Sequence, residues 1–249
     1  MTAPERTPLG AALALLLTVV ALTGAASPTL MATTVAALAL LVAMAWPDLL
    51  ELPSPRGTRL VIAAVGVAGA VLAATATQRI APMSAIVMIC AGGVFAAFVQ
   101  QMLRRDRREL TASLTGTVAG VFVSGIAATW VLAQVEAVEM GRAGLVAAIA
   151  AGLAATLLLN ATPLPSRLRF LLSAAAGTGV TSALATTLDG TPLPIAAGLG
   201  LLVSIGASCA HLLVGSSLVA KEPVPSLAVG AVPVATVGVV AHLAVNLLP

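Results

Sequence analysis

The chain has 249 residues, of which 59% are hydrophobic and only 8% charged, and its mean hydropathy is +1.09. Because about a quarter of the residues of a soluble domain are usually charged, this composition excludes a water-soluble fold and predicts one integral membrane domain over residues 1–249. The net charge of +3 does not indicate nucleic acid binding, since aromatic residues that could stack on bases make up only 2% of the chain.

Nine apolar runs follow one another with short connections between them. They cover residues 9–26, 30–46, 60–77, 83–103, 110–135, 143–159, 170–188, 195–214 and 227–248. The first run resembles a cleavable signal peptide, but the next run begins almost at once, so we expect a retained helical hairpin. The runs are apolar on every face, and most approach the roughly 20 residues that a helix needs to cross ~30 Å of hydrocarbon. The sequence therefore predicts an all-α, polytopic bundle of about nine transmembrane helices in the cell (plasma) membrane.

The basic residues are distributed unequally between the two sides that nine spans define. Two of the twelve, Arg79 and Arg142, fall on one side. The other ten fall on the amino-terminal side: Arg6, Arg56, Arg59, Arg104, Arg105, Arg107, Arg108, Arg167, Arg169 and Lys221. Because cytoplasmic loops are enriched in Lys and Arg, the amino terminus is predicted to be cytoplasmic and the carboxyl terminus outside. The cluster of four arginines at 104–108 is interpreted as a topology anchor that also contacts anionic lipids.

Polar residues within the spans are the candidates for a functional site, because no Asp, Glu, Lys or Arg lies deep in any predicted span. The eighth and ninth spans each carry a stripe of small and polar residues. These stripes define a candidate polar path of His211, His242, Ser204, Ser208 and Asn246. Either the path lines a cavity in which the histidines bind a substrate or relay protons, or its residues bond neighbouring helices to each other. The sequence favours the second interpretation.

Three further patterns have structural interpretations. Gly116, Gly120 and Ser124 in the fifth span form a small-xxx-small motif that predicts close helix packing, within the chain or in a dimer. The acid pairs Asp48/Glu51 and Glu136/Glu139 are interpreted as loop salt bridges rather than cation sites. The residues 177–179 and Pro233 could break or kink their helices.

The sequence does not identify a substrate. It favours a permease-like or accessory membrane protein without catalytic activity, and the main alternative is an interaction or scaffold subunit of a membrane complex. A lipid-modifying enzyme is the least favoured. The expected partners are membrane lipids, and a membrane-protein partner or further copies of the chain; no cofactor, metal or nucleic acid is expected. A permease should show a polar cavity converging on the candidate path, whereas a scaffold should pack those residues dry and show an apolar groove elsewhere.

Overall fold

The computed structural model describes residues 8–23, 28–75, 82–104 and 109–247, and all regular structure in these ranges is helical. The helices are α1 (Pro8–Leu22), α2 (Pro28–Leu49), α3 (Pro55–Thr75), α4 (Pro82–Met102), α5 (Leu110–Ala127), α6 (Thr129–Glu139), α7 (Ala143–Asn160), α8 (Ser166–Leu188), α9 (Leu193–Gly215) and α10 (Pro225–Leu247), with a short 3₁₀ helix at Leu218–Lys221. Eight segments within the described ranges are long and apolar enough to cross a membrane, α5 and α6 together counting as one, and α1 is shorter. The prediction of an all-α, multi-pass membrane bundle is confirmed.

The fifth predicted run differs from the structure at its carboxyl end. It consists of two helices that meet at Ala128, whose N–H bonds to the Gly125 carbonyl at 3.1 Å in a tighter turn. The second helix, α6, continues to Glu139, four residues beyond the predicted end at Val135. Glu136 and Glu139 are therefore helix residues, and the expectation that they lie in a loop is wrong.

Proline defines where many of the helices begin. The first residue of five helices is a proline: Pro8, Pro28, Pro55, Pro82 and Pro225. Proline suits this position because its φ is already helical and the N–H that it lacks would have no partner in the helix. Inside helices it is tolerated, since α2 contains Pro47 and α10 contains Pro233 without interruption.

Helix α8 likewise runs unbroken through residues 177–179. The helix breaks that the sequence suggested there and at Pro233 therefore do not occur.

Three of the described helices are followed by a left-handed residue, and after α8 it is Gly190, with φ of 69°. The other two share one type of turn. After α6 this residue is Gly141, with φ of 72°. After α2 it is Glu51, with φ of 49°, and the next N–H, that of Leu52, bonds back to the Pro47 carbonyl at 2.9 Å. Both follow the Schellman pattern, in which glycine is the usual left-handed residue.

The centre of the bundle is formed by α10, α7 and α6, whereas α4, α8 and α9 lie at the periphery. Alanine and valine dominate the core and let the helices approach closely. At one such contact a Cβ added to Gly10 of α1 would lie 2.8 Å from the Gly230 carbonyl oxygen of α10. Trp130 is the largest fully buried side chain, and its Nε1–H donates to the Val234 carbonyl at 2.8 Å.

Candidate functional site

The residues of the predicted polar path lie at two different helix interfaces. Ser204 and Ser208 of α9 are fully buried against α7 and α8. The Ser204 hydroxyl lies 3.1 Å from that of Thr156, and Ser208 accepts a hydrogen bond of 3.2 Å from the Asn160 amide. Ser173 of α8 approaches the Ser208 hydroxyl to 3.5 Å. These five residues, which we call the three-helix seam, bond α7, α8 and α9 to one another.

Glycines bring the three helices so close together that the seam has no room for a solute. A Cβ added to Gly177 of α8 would overlap the hydroxyl oxygens of Thr156 and Ser204, and would lie 2.9 Å from the Gly152 carbonyl oxygen. A Cβ on Gly200 of α9 would lie 2.8 Å from the backbone of Thr178. The seam is therefore a close-packed interface between the three helices.

His242 and Asn246 of α10 face a different helix, α6, where they meet Glu136. The Nδ1 atom of His242 lies 2.9 Å from Glu136 Oε2, and the Asn246 amide donates to the same oxygen at 2.6 Å. Asn246 also donates to the His242 carbonyl at 3.0 Å. The side chains of His242 and Glu136 are 12% and 21% exposed, so the contact is largely shielded. We call these three residues the Glu136 cluster.

The Glu136 cluster joins a carboxylate to an imidazole and an amide, which bonds α6 to α10. Within the described residues no group of three His, Cys, Asp or Glu side chains lies close enough to hold a metal ion. Hydrophobicity alone does not identify Glu136 as the partner of His242, because the apolar run ends at Val135, although no helix breaker occurs before Gly141.

The other histidine lies apart from this cluster. His211 is partly exposed near the carboxyl end of α9, one turn beyond Ser208. His242 lies near the carboxyl end of α10, the antiparallel neighbour of α9. The two histidines are therefore in opposite halves of the bundle, and the structure does not bring them together.

The predicted packing motif of α5 lies against α2 and α3. Gly116, Gly120 and Ser124 are all buried. A Cβ on Gly116 would lie 2.8 Å from the Leu52 side chain, and one on Gly120 would lie 2.8 Å from the Trp46 ring. The Trp46 Nε1–H donates to the Gly116 carbonyl at 2.8 Å, a bond that the bare glycine backbone makes accessible. The contacts of this motif are within the chain.

Only the first arginine of the predicted anchor cluster belongs to the described residues; Arg105, Arg107 and Arg108 lie outside them. Arg104 donates to Gln101 Oε1 at 2.7 Å and to the Ser113 hydroxyl at 3.2 Å. Gln101 is fully buried and donates to Ser113 at 2.8 Å. Arg104 therefore holds the end of α4 against the start of α5.

Two ion pairs join helix ends. Arg59 Nη2 lies 2.7 Å from both carboxylate oxygens of Asp48, which agrees with the salt-bridge interpretation of Asp48. At the other face of the bundle Arg142 Nε lies 3.5 Å from Asp189 Oδ2, and the Asp189 side chain is only 2% exposed.

An apolar groove opens on the surface of the bundle between α3 and α4. Its volume is about 350 Å³. It is lined by Leu60, Val61, Ala64, Val65, Ile89, Gly92, Gly93 and Ala96. The groove shares no residue with the candidate polar path.

No protein-family model, curated protein or solved structure matches the chain. Its function therefore has to be inferred from its own residues and their contacts.

Proposed function

We propose that this multi-pass membrane protein is a non-catalytic interaction subunit that binds a partner membrane protein through the outward face of α8 and α9. The observation that carries the proposal is the exposure of Gly179, Gly198 and Gly206 on these helices. A Cβ added to any of the three would meet no atom within 4 Å. Only one other glycine within the described helices, Gly92, has such open space.

Exposed glycine in a helix needs a physical reason, because it costs about 1 kcal/mol relative to alanine. Outside a groove that binds a particular lipid, freely exchanging lipid tails give little in return for the missing side chain. A partner helix gives more, since glycine lets two backbones approach closely and make many dispersion contacts. On α9, Gly198 and Gly206 flank Leu202 at spacings of four residues. The three residues therefore lie along one exposed stripe of the helix.

The arrangement of the polar residues supports the same proposal over a permease. Ser204 and Ser208 bond to α7 and α8, whereas His242 and Asn246 bond to Glu136 of α6. A solute path would need these groups to face a common cavity, and here their hydrogen bonds join the chain's own helices. This arrangement supports an interaction subunit, because the seam is closely packed and the groove lies elsewhere.

The test is co-purification from native membranes in a mild detergent, followed by mass spectrometry of the bound proteins. Gly206→Leu adds a side chain to the exposed stripe on α9. Gly92→Leu is the matched control, because it adds the same side chain in open space on α4. We expect the wild type and Gly92→Leu to retain a membrane-protein partner that Gly206→Leu loses. Equal recovery of the partner with both variants, or recovery of further copies of the chain alone, would contradict the proposal.

A further inference from the structure

We propose that the groove between α3 and α4 binds an acyl chain of an anionic glycerophospholipid whose phosphate pairs with Arg56. This site is separate from the proposed partner surface on α8 and α9. It rests on the shape of the groove, on the polar residues at one of its ends and on the charge of Arg56.

The groove has the position and lining that an acyl chain needs. All eight of its lining residues are apolar or glycine, and its volume is about 350 Å³. It is open along its length, with Leu60 at its rim 73% exposed. Gly92 forms part of its wall and leaves open space where a side chain would stand.

The end of the groove towards the start of α3 is closed by polar groups. A Cβ on Gly57 would overlap the amide of Gln100, so this side chain crosses from α4 onto α3. Gln100 donates to the Ser54 hydroxyl at 3.1 Å and accepts from Gln101 at 3.0 Å. The groove therefore passes from a hydrocarbon lining to polar groups at the membrane surface, as a phospholipid passes from its acyl chains to its head group.

Arg56 supplies the charge at this end. It lies one helical turn before Leu60 on the same face of α3, about 6 Å along the axis. Arg56 is exposed and makes no ion pair or hydrogen bond with any residue that the structure describes, whereas the nearby Arg59 is neutralised by Asp48. Its place in the first turn of α3 adds the positive end of the helix dipole, which also favours a phosphate.

A phospholipid fits these features better than a partner helix does. A transmembrane helix in the groove would place its own apolar side chains beside Arg56. The charge of Arg56 would then have no counter-ion. An anionic phospholipid brings a phosphate that can pair with Arg56 together with an acyl chain that suits the apolar lining. Phosphatidylglycerol is the simplest lipid of this class, and phosphatidylcholine has the same chains without the net charge.

The experiment measures lipid retention by native mass spectrometry of the full-length protein released from nanodiscs of mixed phosphatidylglycerol and phosphatidylcholine. We expect the wild type to retain one phosphatidylglycerol in preference to phosphatidylcholine. Arg56→Gln should reduce this preference about fivefold, the contribution of one basic residue near an anionic surface. Gly92→Leu should remove both lipids, because its side chain occupies the groove.

Matched controls separate this site from general attraction to the bilayer. Arg167→Gln removes an exposed arginine at the start of α8, on the same predicted side, and Gly206→Leu adds a side chain in open space on α9. Both should retain phosphatidylglycerol as the wild type does. Equal retention of the two lipids by the wild type, or an equal loss in the control variants, would overturn the proposal. So would a Gly92→Leu variant that elutes as a folded protein and still retains the lipid.

Discussion

Glu136 meets His242 and Asn246, and these partners show how an acidic side chain is held within the membrane bundle. Its Oε2 atom is the acceptor for Asn246 and lies within bonding distance of His242. Burying such a group is tolerated when its acceptors and donors are satisfied. The cluster therefore bonds α6 to the central helix α10.

We predict that Glu136→Ala lowers the free energy of unfolding by about 2 kcal/mol, because it leaves the His242 and Asn246 donors without their acceptor. Glu139→Ala is the control. Glu139 lies three residues after Glu136 and its side chain is exposed. The substitution therefore removes the same charge and should have little effect on the free energy of unfolding. Denaturation in detergent micelles, followed by circular dichroism, measures both. A loss of equal size in the two variants would contradict the role of the cluster.

The left-handed Glu51 gives a second prediction at this scale. A residue with a Cβ pays about 1 kcal/mol for φ of 49°, and glycine does not. Glu51→Gly should therefore raise the midpoint of thermal unfolding, and Glu51→Ala should not, although both remove the same charge. If Glu51→Ala stabilises the protein as much as Glu51→Gly, charge rather than backbone geometry is responsible.

Among single residues, the sequence predicted types of contact better than it predicted partners. It placed Gly116, Gly120 and Ser124 on one packing face, but a stripe of small residues fits any neighbouring helix. That α2 and α3 occupy this face depends on how the whole bundle folds. The sequence did not predict the partner of His242, because the hydrophobicity pattern places the end of the fifth run at Val135, one residue before Glu136.

At the scale of helices, the contrast between Gly177 and Gly179 shows how the seam is built. The two glycines are two residues apart on α8, so they point to nearly opposite sides of the helix. A Cβ on Gly177 would overlap Thr156 and Ser204, whereas one on Gly179 would meet nothing. One glycine is therefore required by the packing of α7, α8 and α9, and the other is not.

We predict that Gly177→Ala destabilises the protein by about 1–3 kcal/mol, the usual cost of overpacking a close contact. Gly179→Ala should be neutral or stabilising by up to about 1 kcal/mol, because alanine is the better helix former. Thermal unfolding of the two variants in one detergent makes the comparison. If Gly177→Ala is as stable as Gly179→Ala, the three helices are farther apart than the structure shows.

The extents of the helices were largely predictable, because long apolar runs between short polar connections leave few alternatives in a bilayer. The break between α5 and α6 at Ala128, within the fifth run, was not predictable. Neither Ala128 nor Thr129 is a strong helix breaker, and the turn there is stabilised by α10, whose Gly238 lets Thr129 and Trp130 approach. Such a break depends on a neighbour that is distant in sequence.

For the whole molecule, contacts between helices support the alternation of the spans. Ser54 and Gln100, which meet, belong to the side that is predicted to carry ten of the basic residues. Arg142 and Asp189 meet at the opposite side. One of the two exceptions to the charge bias, Arg142, is thus paired with an acid of the same protein. The direction of the bundle in the membrane is still a prediction from the count of Lys and Arg.

Cysteine labelling of intact cells tests that direction. In a variant with Cys90 and Cys209 replaced by alanine, Met140→Cys lies between α6 and α7 and Leu164→Cys between α7 and α8. A membrane-impermeant maleimide should label Met140→Cys in intact cells and Leu164→Cys only after permeabilisation. The reverse pattern would show that the chain is inverted, and labelling of both would contradict the alternation of the spans.

The short first helix has a consequence for the surrounding lipid. The 15 residues of α1 rise about 22 Å, whereas the 23 residues of α8 rise about 34 Å. Leu15, Leu16 and Val19 of α1 are exposed at the outside of the bundle. Over the residues that the structure describes, a bilayer with ~30 Å of hydrocarbon therefore meets hydrophobic surfaces of unequal height around one molecule, and thinning beside α1 or tilting of the bundle would accommodate the difference. A change in membrane thickness would therefore alter the hydrophobic mismatch at α1 and at α8 in opposite directions.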